Sequence, residues 1–352
     1  MPQPKLRWGI LGAAKIALNK VIPAMRSCAH AEVVALASRD PEKAGRWARE
    51  LEIPRAFGSY QEMLADAAID VVYIPLPNHL HVPWSIRAAE AGKHVLCEKP
   101  IGLSVAECQA LMAVRDRTGV RIGEAFMIRT HPQWLRARDL VRSGAVGELR
   151  AVCCTFSYCN TDLGNIRNVV AFGGGALMDI GCYGIQAARF LFGAEPLEAS
   201  AVMDRDPVFG TDRTTSAVLR FPSGHSTFTC ATQVVWHQQV QILGETGRIE
   251  IEAPFNPLPD RPSRIAIFRG AGGREVEEFG PCDQFTIQAD LFSRAVLNQE
   301  EVPTPLEDSL LNMAALEAVA KAARTRRSVP VGATPGLAKQ LAKHPLPLGN
   351  QR

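Results

Sequence analysis

The 352-residue sequence holds no run of 18 apolar residues, which excludes a helix long and oily enough to span a bilayer. It has no basic run of five or more residues. Lys+Arg (39) nearly balance Asp+Glu (36), for a net charge of +3, so no general electrostatic affinity for nucleic acid is expected. C-x-x-C spacing is missing among the nine cysteines, whose one close pair is Cys153-Cys154. That pattern argues against a disulfide framework or a zinc site and for reduced thiols. The opening residues, Met1-Pro2-Gln3-Pro4-Lys5, lack the apolar stretch of a secretory signal, and the expected compartment is the cytoplasm. No internal repeat or low-complexity block is found.

What is present is a composition of 47% hydrophobic and 21% charged residues, enough to bury a sizeable core in about two domains. From residue 6 to about 126, short apolar runs (Leu6–Leu11, Val33–Ala37, Val71–Ile74, His94–Cys97, Arg121–Ala125) alternate with helical patterns. Strands apolar on both faces need helices on both sides, so the expectation is an α/β doubly wound parallel sheet. After about residue 146 the rhythm changes to strands separated by turns such as Pro222-Ser223-Gly224-His225, which points to a large, mostly antiparallel sheet. The expected divisions are 1–126, 127–305, a helix at 306–330 packing back on the first domain, and a loosely ordered tail at 331–352.

Gly9-Ile10-Leu11-Gly12-Ala13-Ala14-Lys15-Ile16-Ala17 closes the first strand and opens the first helix. Gly12 permits a tight turn, and small residues at 14 and 17 let backbone approach a pyrophosphate at a helix N-terminus. A G-x-x-G alone is weak; at the first turn of an alternating series it points to a dinucleotide. The second strand ends Ser38-Arg39-Asp40-Pro41, with Lys43 one turn on. Asp40 before Pro41 reads as a helix N-cap, which leaves Ser38, Arg39 and Lys43 for the adenosine ribose. An arginine fork matches a 2′-phosphate, favouring NADP over NAD; the plainer alternative is an exposed Arg beside NAD.

Two more strand ends, Leu76-Pro77-Asn78-His79-Leu80-His81 and Glu98-Lys99-Pro100, belong on the same ligand-binding edge of the sheet. Lys99 falls where a reactive ring is expected, and Lys99-Pro100 is a candidate for a rigid turn aiming it. The His79/His81 pair has no third ligand at a convincing spacing, so no metal is expected; helix capping and ribose contact around Asn78 and His81 are the alternative. In Gly173-Gly-Gly-Ala-Leu-Met-Asp179-Ile-Gly-Cys-Tyr183, Asp179 and Tyr183 are four apart and share a helix face. With a nearby lysine lowering the phenol's pKa, they form a proton-transfer group. The alternative, a core tyrosine and a capping aspartate, is equally open on the helix alone.

Together these segments resemble the glucose–fructose oxidoreductase family (Gfo/Idh/MocA), over nearly the whole chain. The carriers are Gly12 to Ala17, Ser38-Arg39, Glu98-Lys99-Pro100, Glu124 to Arg129 with His131-Pro132, and Gly173 to Tyr183. Within it the chain looks most like NADP-dependent xylose and glucose dehydrogenases and dihydrodiol dehydrogenases. The resemblance implies a Rossmann domain plus an α+β domain whose open sheet joins homodimers or homotetramers. It implies Gly9, Gly12, Ala13, Ala14, Lys15, Ile16, Leu76, Asn78, His81 and Glu98 at the cofactor. It places Lys99 and Tyr183 at the nicotinamide with Asp179 at the substrate hydroxyl, and Arg129, His131 and Arg167 in the sugar pocket. Ile128 and Asn168-Val-Val-Ala-Phe172 depart from the family pattern and suggest a more apolar pocket wall. The implied activity is an NADP-dependent oxidation or reduction of a sugar or cyclic polyol. A C-3 ketoreductase of a nucleotide-linked sugar, a dihydrodiol dehydrogenase and a non-catalytic NADP sensor stand as alternatives.

Overall fold

The computed structural model describes residues 4–270 and 273–332; the expected tail beyond Gly332 lies outside the described residues. The chain forms two compact units, one of residues 1–131 with 282–306 and one of 132–281 with 307 onward. The first contains β1 (Leu6–Leu11), a helix made of a π turn (Ala17–Val21) and α1 (Ile22–Met25), β2 (Ala31–Ala37), α2 (Pro41–Glu50), β3 (Arg55–Phe57), α3 (Tyr60–Ala65), β4 (Val71–Ile74), α4 (His81–Glu90), β5 (His94–Cys97), α5 (Val105–Thr118) and β6 (Ile122–Glu124). All six strands are parallel, in the order β3-β2-β1-β4-β5-β6. This is the doubly wound order in which ligands bind at the carboxyl edge, where the winding reverses between β1 and β4. Trp8, Ile10, Leu11, Val71, Val72 and Val95 are wholly buried, as strands covered on both faces require. The alternation predicts five strands; β3 has three residues and none fully buried, too little for an apolar signal.

The second unit contains α6 (Pro132–Arg142), β7 (Leu149–Cys159), a π turn (Leu177–Gly181) leading into α7 (Cys182–Phe192), and then β8 (Glu198–Arg205), β9 (Asp212–Arg220), β10 (His225–Ala231), β11 (Gln233–Gly244), β12 (Gly247–Ile251), β13 (Ser263–Arg269) and β14 (Gly273–Phe279). The chain returns to the first unit with α8 (Gln284–Leu297) and finishes in the second with α9 (Leu306–Thr325) and β15 (Val329–Pro330). The sheet runs β14-β13-β12-β11-β7-β10-β9-β8-β15, antiparallel except for the β7–β10 pair. Its inner face (Val152, Leu219, Phe228, Ile242, Ile249, Ile267) is buried, while its other face carries exposed Val202 and Val218. Gly184 lets α7 lie close on β10: a Cβ there would be 2.9 Å from that of Phe228.

These units correct the expected divisions in two places. Residues 282–305 do not stay with the second unit, because α8 covers β1: Thr286 Oγ1 donates to the Ala24 carbonyl, Trp8 Nε1 to Ser293 Oγ at 3.0 Å, and Trp8 packs edge-on against Phe292. The helix expected at 306–330 belongs to the second unit. Its Asp308 takes a hydrogen bond from Gln186 at 2.7 Å and an ion pair from buried Arg189 of α7 at 3.2 Å.

Candidate active site

The dinucleotide turn lies at the end of β1. Gly12 has φ +122°, and a Cβ there would stand 2.8 Å from Leu76 Cδ2. Its N–H reaches the Ala37 carbonyl at 3.0 Å, fastening the ends of β1 and β2. Ala13 and Ala14 are partly exposed and Lys15 is exposed, so the backbone at the helix start is open to a phosphate. At the end of β2, Asp40 accepts from the Lys43 N–H at 3.0 Å and Pro41 opens α2, the capping arrangement read from the sequence. Ser38 is buried and its hydroxyl accepts from the Asp40 N–H; Arg39 is exposed.

Sequence reasoning missed Tyr60. Its hydroxyl hydrogen-bonds Arg39 and would lie 3.5 Å from a Cβ on Gly12, while its ring packs edge-on against Trp84. Burial raises the phenol's pKa, opposed by Arg39, so Tyr60 stays protonated. If Arg39 grips a 2′-phosphate, Tyr60 orients it. Tyr60→Phe is then expected to raise KM for NADP about tenfold, the worth of one hydrogen bond to a charged group, and to leave KM for NAD unchanged. Steady-state kinetics with both cofactors checks this; a parallel rise for both would contradict it.

The turn after β5 is held by several hydrogen bonds. Tyr73 donates to Glu98 at 2.6 Å, the Glu98 N–H to the Ile74 carbonyl, and the Ile101 N–H to buried Glu124 at 2.8 Å. The Lys99-Pro100 peptide is cis. His81, the first residue of α4, lies with Nδ1 2.7 Å from the Pro100 carbonyl and Nε2 2.7 Å from the Leu76 carbonyl. Its exposure is 0%, so the ribose contact proposed for it is corrected: the ring is enclosed by protein. Asn78, Glu98 and Lys99 are partly exposed.

The second unit builds a carboxylate site. Asp179 accepts from Tyr158 at 2.5 Å on one oxygen and from Arg167 Nε at 3.0 Å on the other. Tyr158 lies near the end of β7, two residues after Phe156, so both side chains share one face of the strand. Phe156 meets Tyr183 edge-on at 5.7 Å and Phe255 adds a tilted contact at 5.3 Å. One face of the strand thus meets Asp179 through Tyr158 and Tyr183 through Phe156. The relation is not the simple four-residue step read from sequence, because Asp179 sits in a π turn, a rare distortion that recurs at functional helices. Burial and the Asp179 charge push the Tyr158 phenol well above its ordinary pKa, so Tyr158 is a fixed donor rather than a base.

Glycines deliver Arg167. A Cβ on Gly174 would stand 2.3 Å from the Arg167 carbonyl, and one on Gly175 2.0 Å from Asp212. Asp212, also missed from sequence, is buried and accepts from the Leu177 N–H and from Thr215, capping the helix that carries Asp179 and Tyr183. Cys182 follows the π turn as the first residue of α7, and its buried thiol donates to the Asp179 carbonyl.

Three residues assigned to the substrate pocket lie otherwise. His131 is 1% exposed with Nε2 3.5 Å from Cys282 Sγ, and Ile128 has no exposed surface; both belong to the packed interior. Asn168 is buried and donates to the Asn160 and Asp162 carbonyls, closing its own loop. Arg129 is partly exposed, and Ile166 and Val170, around Arg167, are exposed apolar side chains.

His81 and His131 are both pushed down to about 4, chiefly by burial. Their folded pKa lies below the unfolded value, so the stability they lend is present above pH 6.5 and lost as pH falls towards 4. Each contributes up to about 3 kcal/mol to that loss. Urea unfolding between pH 7.5 and 4.5 should show declining stability, flattened in a His131→Gln variant; an unchanged slope in that variant would contradict this.

Residues 6–126 match the GFO_IDH_MocA family, described as an oxidoreductase family with an NAD-binding Rossmann fold, and residues 134–250 match the GFO/IDH/MocA C-terminal domain. The chain is 50% identical over 323 residues to an uncharacterized oxidoreductase of Rhizobium meliloti, covering 90% of this chain and 97% of that one. It is 37% identical to D-xylose 1-dehydrogenase (NADP(+)) 2 of Haloferax volcanii over 92% and 99% of the two. A solved 3-ketoreductase from Actinomadura kijaniata, in complex with NADP and TDP-benzene, superposes with TM-score 0.85 at 31% identity, covering 90% and 98%.

Proposed function

The chain belongs to the GFO/IDH/MocA oxidoreductase family, and on that premise we propose an NADP-dependent dehydrogenase or reductase of a secondary or anomeric hydroxyl in a sugar or cyclic polyol. The observation that carries this reading is the Asp179 carboxylate, fixed by Tyr158 and Arg167, with Tyr183 meeting the same face of β7 through Phe156. NADP is favoured by Arg39 and Tyr60 over the Gly12 turn, and by the cofactor named for the Haloferax and Actinomadura proteins.

When bound, the nicotinamide ring supplies the hydride acceptor or donor. The backbone from Gly12 to Ile16 holds the pyrophosphate, and Ser38, Arg39 and Lys43 hold the 2′-phosphate. Tyr183 takes the hydroxyl proton at Oη during oxidation and returns it during reduction. Asp179 orients that hydroxyl, and the Lys99 ammonium stabilises the oxygen that develops negative charge. Such positioned acid–base groups contribute on the order of 10²–10⁴-fold.

The test is absorbance of reduced nicotinamide with purified protein, NADP⁺ and NAD⁺ in parallel, against aldoses, inositols and cyclic diols. Reduction of NADP⁺ by one aldose, with NAD⁺ much poorer, supports the reading. Silence across the panel with NADPH still bound would favour a C-3 ketoreductase of a nucleotide-linked sugar. The exposed Ile166 and Val170 flanking Arg167 favour that second reading, since they offer apolar contact beside the carboxylate. A cofactor-binding sensor has no use for the Asp179 network. Homodimers or homotetramers are proposed through the open sheet face, where Val202 and Val218 stand among Ser200, Ser216 and Thr227; sedimentation that gives a monomer would refute this.

A further inference from the structure

We propose that His81 is a positioning residue for Lys99, holding the turn that carries it by tying the loop after β4 to the turn after β5. The role rests on the catalytic reading of Lys99 given above. Four constraints converge on residues 98–101. The Tyr73 hydroxyl and the Ile74 carbonyl hold Glu98, Glu124 holds the Ile101 N–H, and the His81 ring holds the Pro100 carbonyl. Lys99 lies between held residues on both sides. Of the four, only His81 reaches across to the neighbouring loop: its second ring nitrogen faces the Leu76 carbonyl, and Leu76 is the side chain that closes over Gly12.

Both ring nitrogens stand 2.7 Å from a carbonyl; the neutral imidazole carries one proton, so it donates to one of the two carbonyls and its tautomer decides which. The imidazole has no exposed surface, so it is not placed to touch a ligand. Carbonyls of a loop and a turn have no partner in a regular ladder at these positions, and a buried carbonyl left unpaired is costly. The flat His81 ring fills the gap between them, hydrogen-bonding one carbonyl through its single N–H and packing against the other. The clamp therefore couples the seat of the dinucleotide turn to the reacting lysine, and a misplacement of about 1 Å there costs on the order of 10²-fold in turnover.

The experiment is a double-mutant cycle in the full chain. His81→Phe keeps a flat ring and removes both nitrogens; His81→Gln keeps an amide donor. His81→Phe should lower kcat about 10²-fold, by the same misplacement argument, with the dissociation constant for NADPH within about threefold, and His81→Gln should recover part of the loss. Lys99→Met alone should lower the single-turnover rate further than His81→Phe does while leaving it measurable, and His81→Phe combined with it should be no worse than Lys99→Met. Losses that multiply, or His81→Phe with wild-type kcat, overturn the positioning role alone. Wild-type turnover in Lys99→Met overturns the proposed function and this inference with it. Should the variants fail to fold, nitrogen-15 histidine NMR of the wild-type protein decides: a slowly exchanging His81 ring N–H is expected, and a ring proton exchanging freely with solvent overturns the clamp.

Discussion

Replacing Tyr183 by Phe is expected to lower kcat by about 10²–10⁴-fold, the range for a positioned general acid–base group, with stability and NADPH binding nearly unchanged. The buried ring of Tyr183 packs against both Phe156 and Phe255, and those two stack on each other at 4.7 Å. Phenylalanine fills the same aromatic cage, so the substitution removes the oxygen and little else. Single-turnover absorbance of reduced nicotinamide separates the chemical step from binding. A variant that loses NADPH affinity in step with kcat would mean that Tyr183 holds the fold together rather than moving a proton.

Gly174→Ala should be nearly as damaging by a different route. The atoms that a Cβ would strike are backbone, the Arg167 carbonyl oxygen at 2.3 Å and the Val169 carbonyl oxygen at 2.9 Å, and neither can swing away. The loop that presents Arg167 to Asp179 must move as a body. Loss of that geometry is expected to cost on the order of 10²-fold in turnover. Overpacking should destabilise by about 1–3 kcal/mol, and thermal unfolding by calorimetry reads it. Gly164→Ala is the control: its Cβ would meet Asp162 at an ordinary 3.4 Å, and it should change neither property. A Gly174→Ala protein with wild-type kinetics would remove the Arg167–Asp179 pair from the active site.

Much of this was legible from local chemistry. Strands buried on both faces announce the parallel sheet, Asp40-Pro41 announces a helix start, and Gly12 after β1 announces a turn that no other residue enters without meeting Leu76. These signals lie within a few residues of what they specify. Tyr60, Tyr158 and Asp212 were missed because each acts on a partner 21 or more residues away, through pairings that only the folded chain creates. His81 was assigned to the cofactor, and the structure encloses it instead. A histidine at a strand end reads as a ligand contact, and only the two flanking carbonyls show the ring to be enclosed. His131 and Ile128 were set in a pocket wall by likeness alone, and burial decides otherwise. Asp179 and Tyr183 were paired on the four-residue step alone, and the π turn that holds Asp179 follows from no residue pattern.

The chain's return to its first unit has a consequence for how the protein is made. On the ribosome, β1 to β6 emerge first, yet the helix that covers Trp8 begins only at Gln284. The whole second sheet is synthesised in between. Until then the Trp8 indole lacks both its serine acceptor and the Phe292 ring. A nascent chain halted after His131 should therefore display a sticky aromatic surface and recruit chaperones, and a gene cut at that point should not yield a stable nucleotide-binding module. Exchange of the cofactor half between relatives must carry residues 282–306 along with 1–131, as one graft taken from two places in the gene.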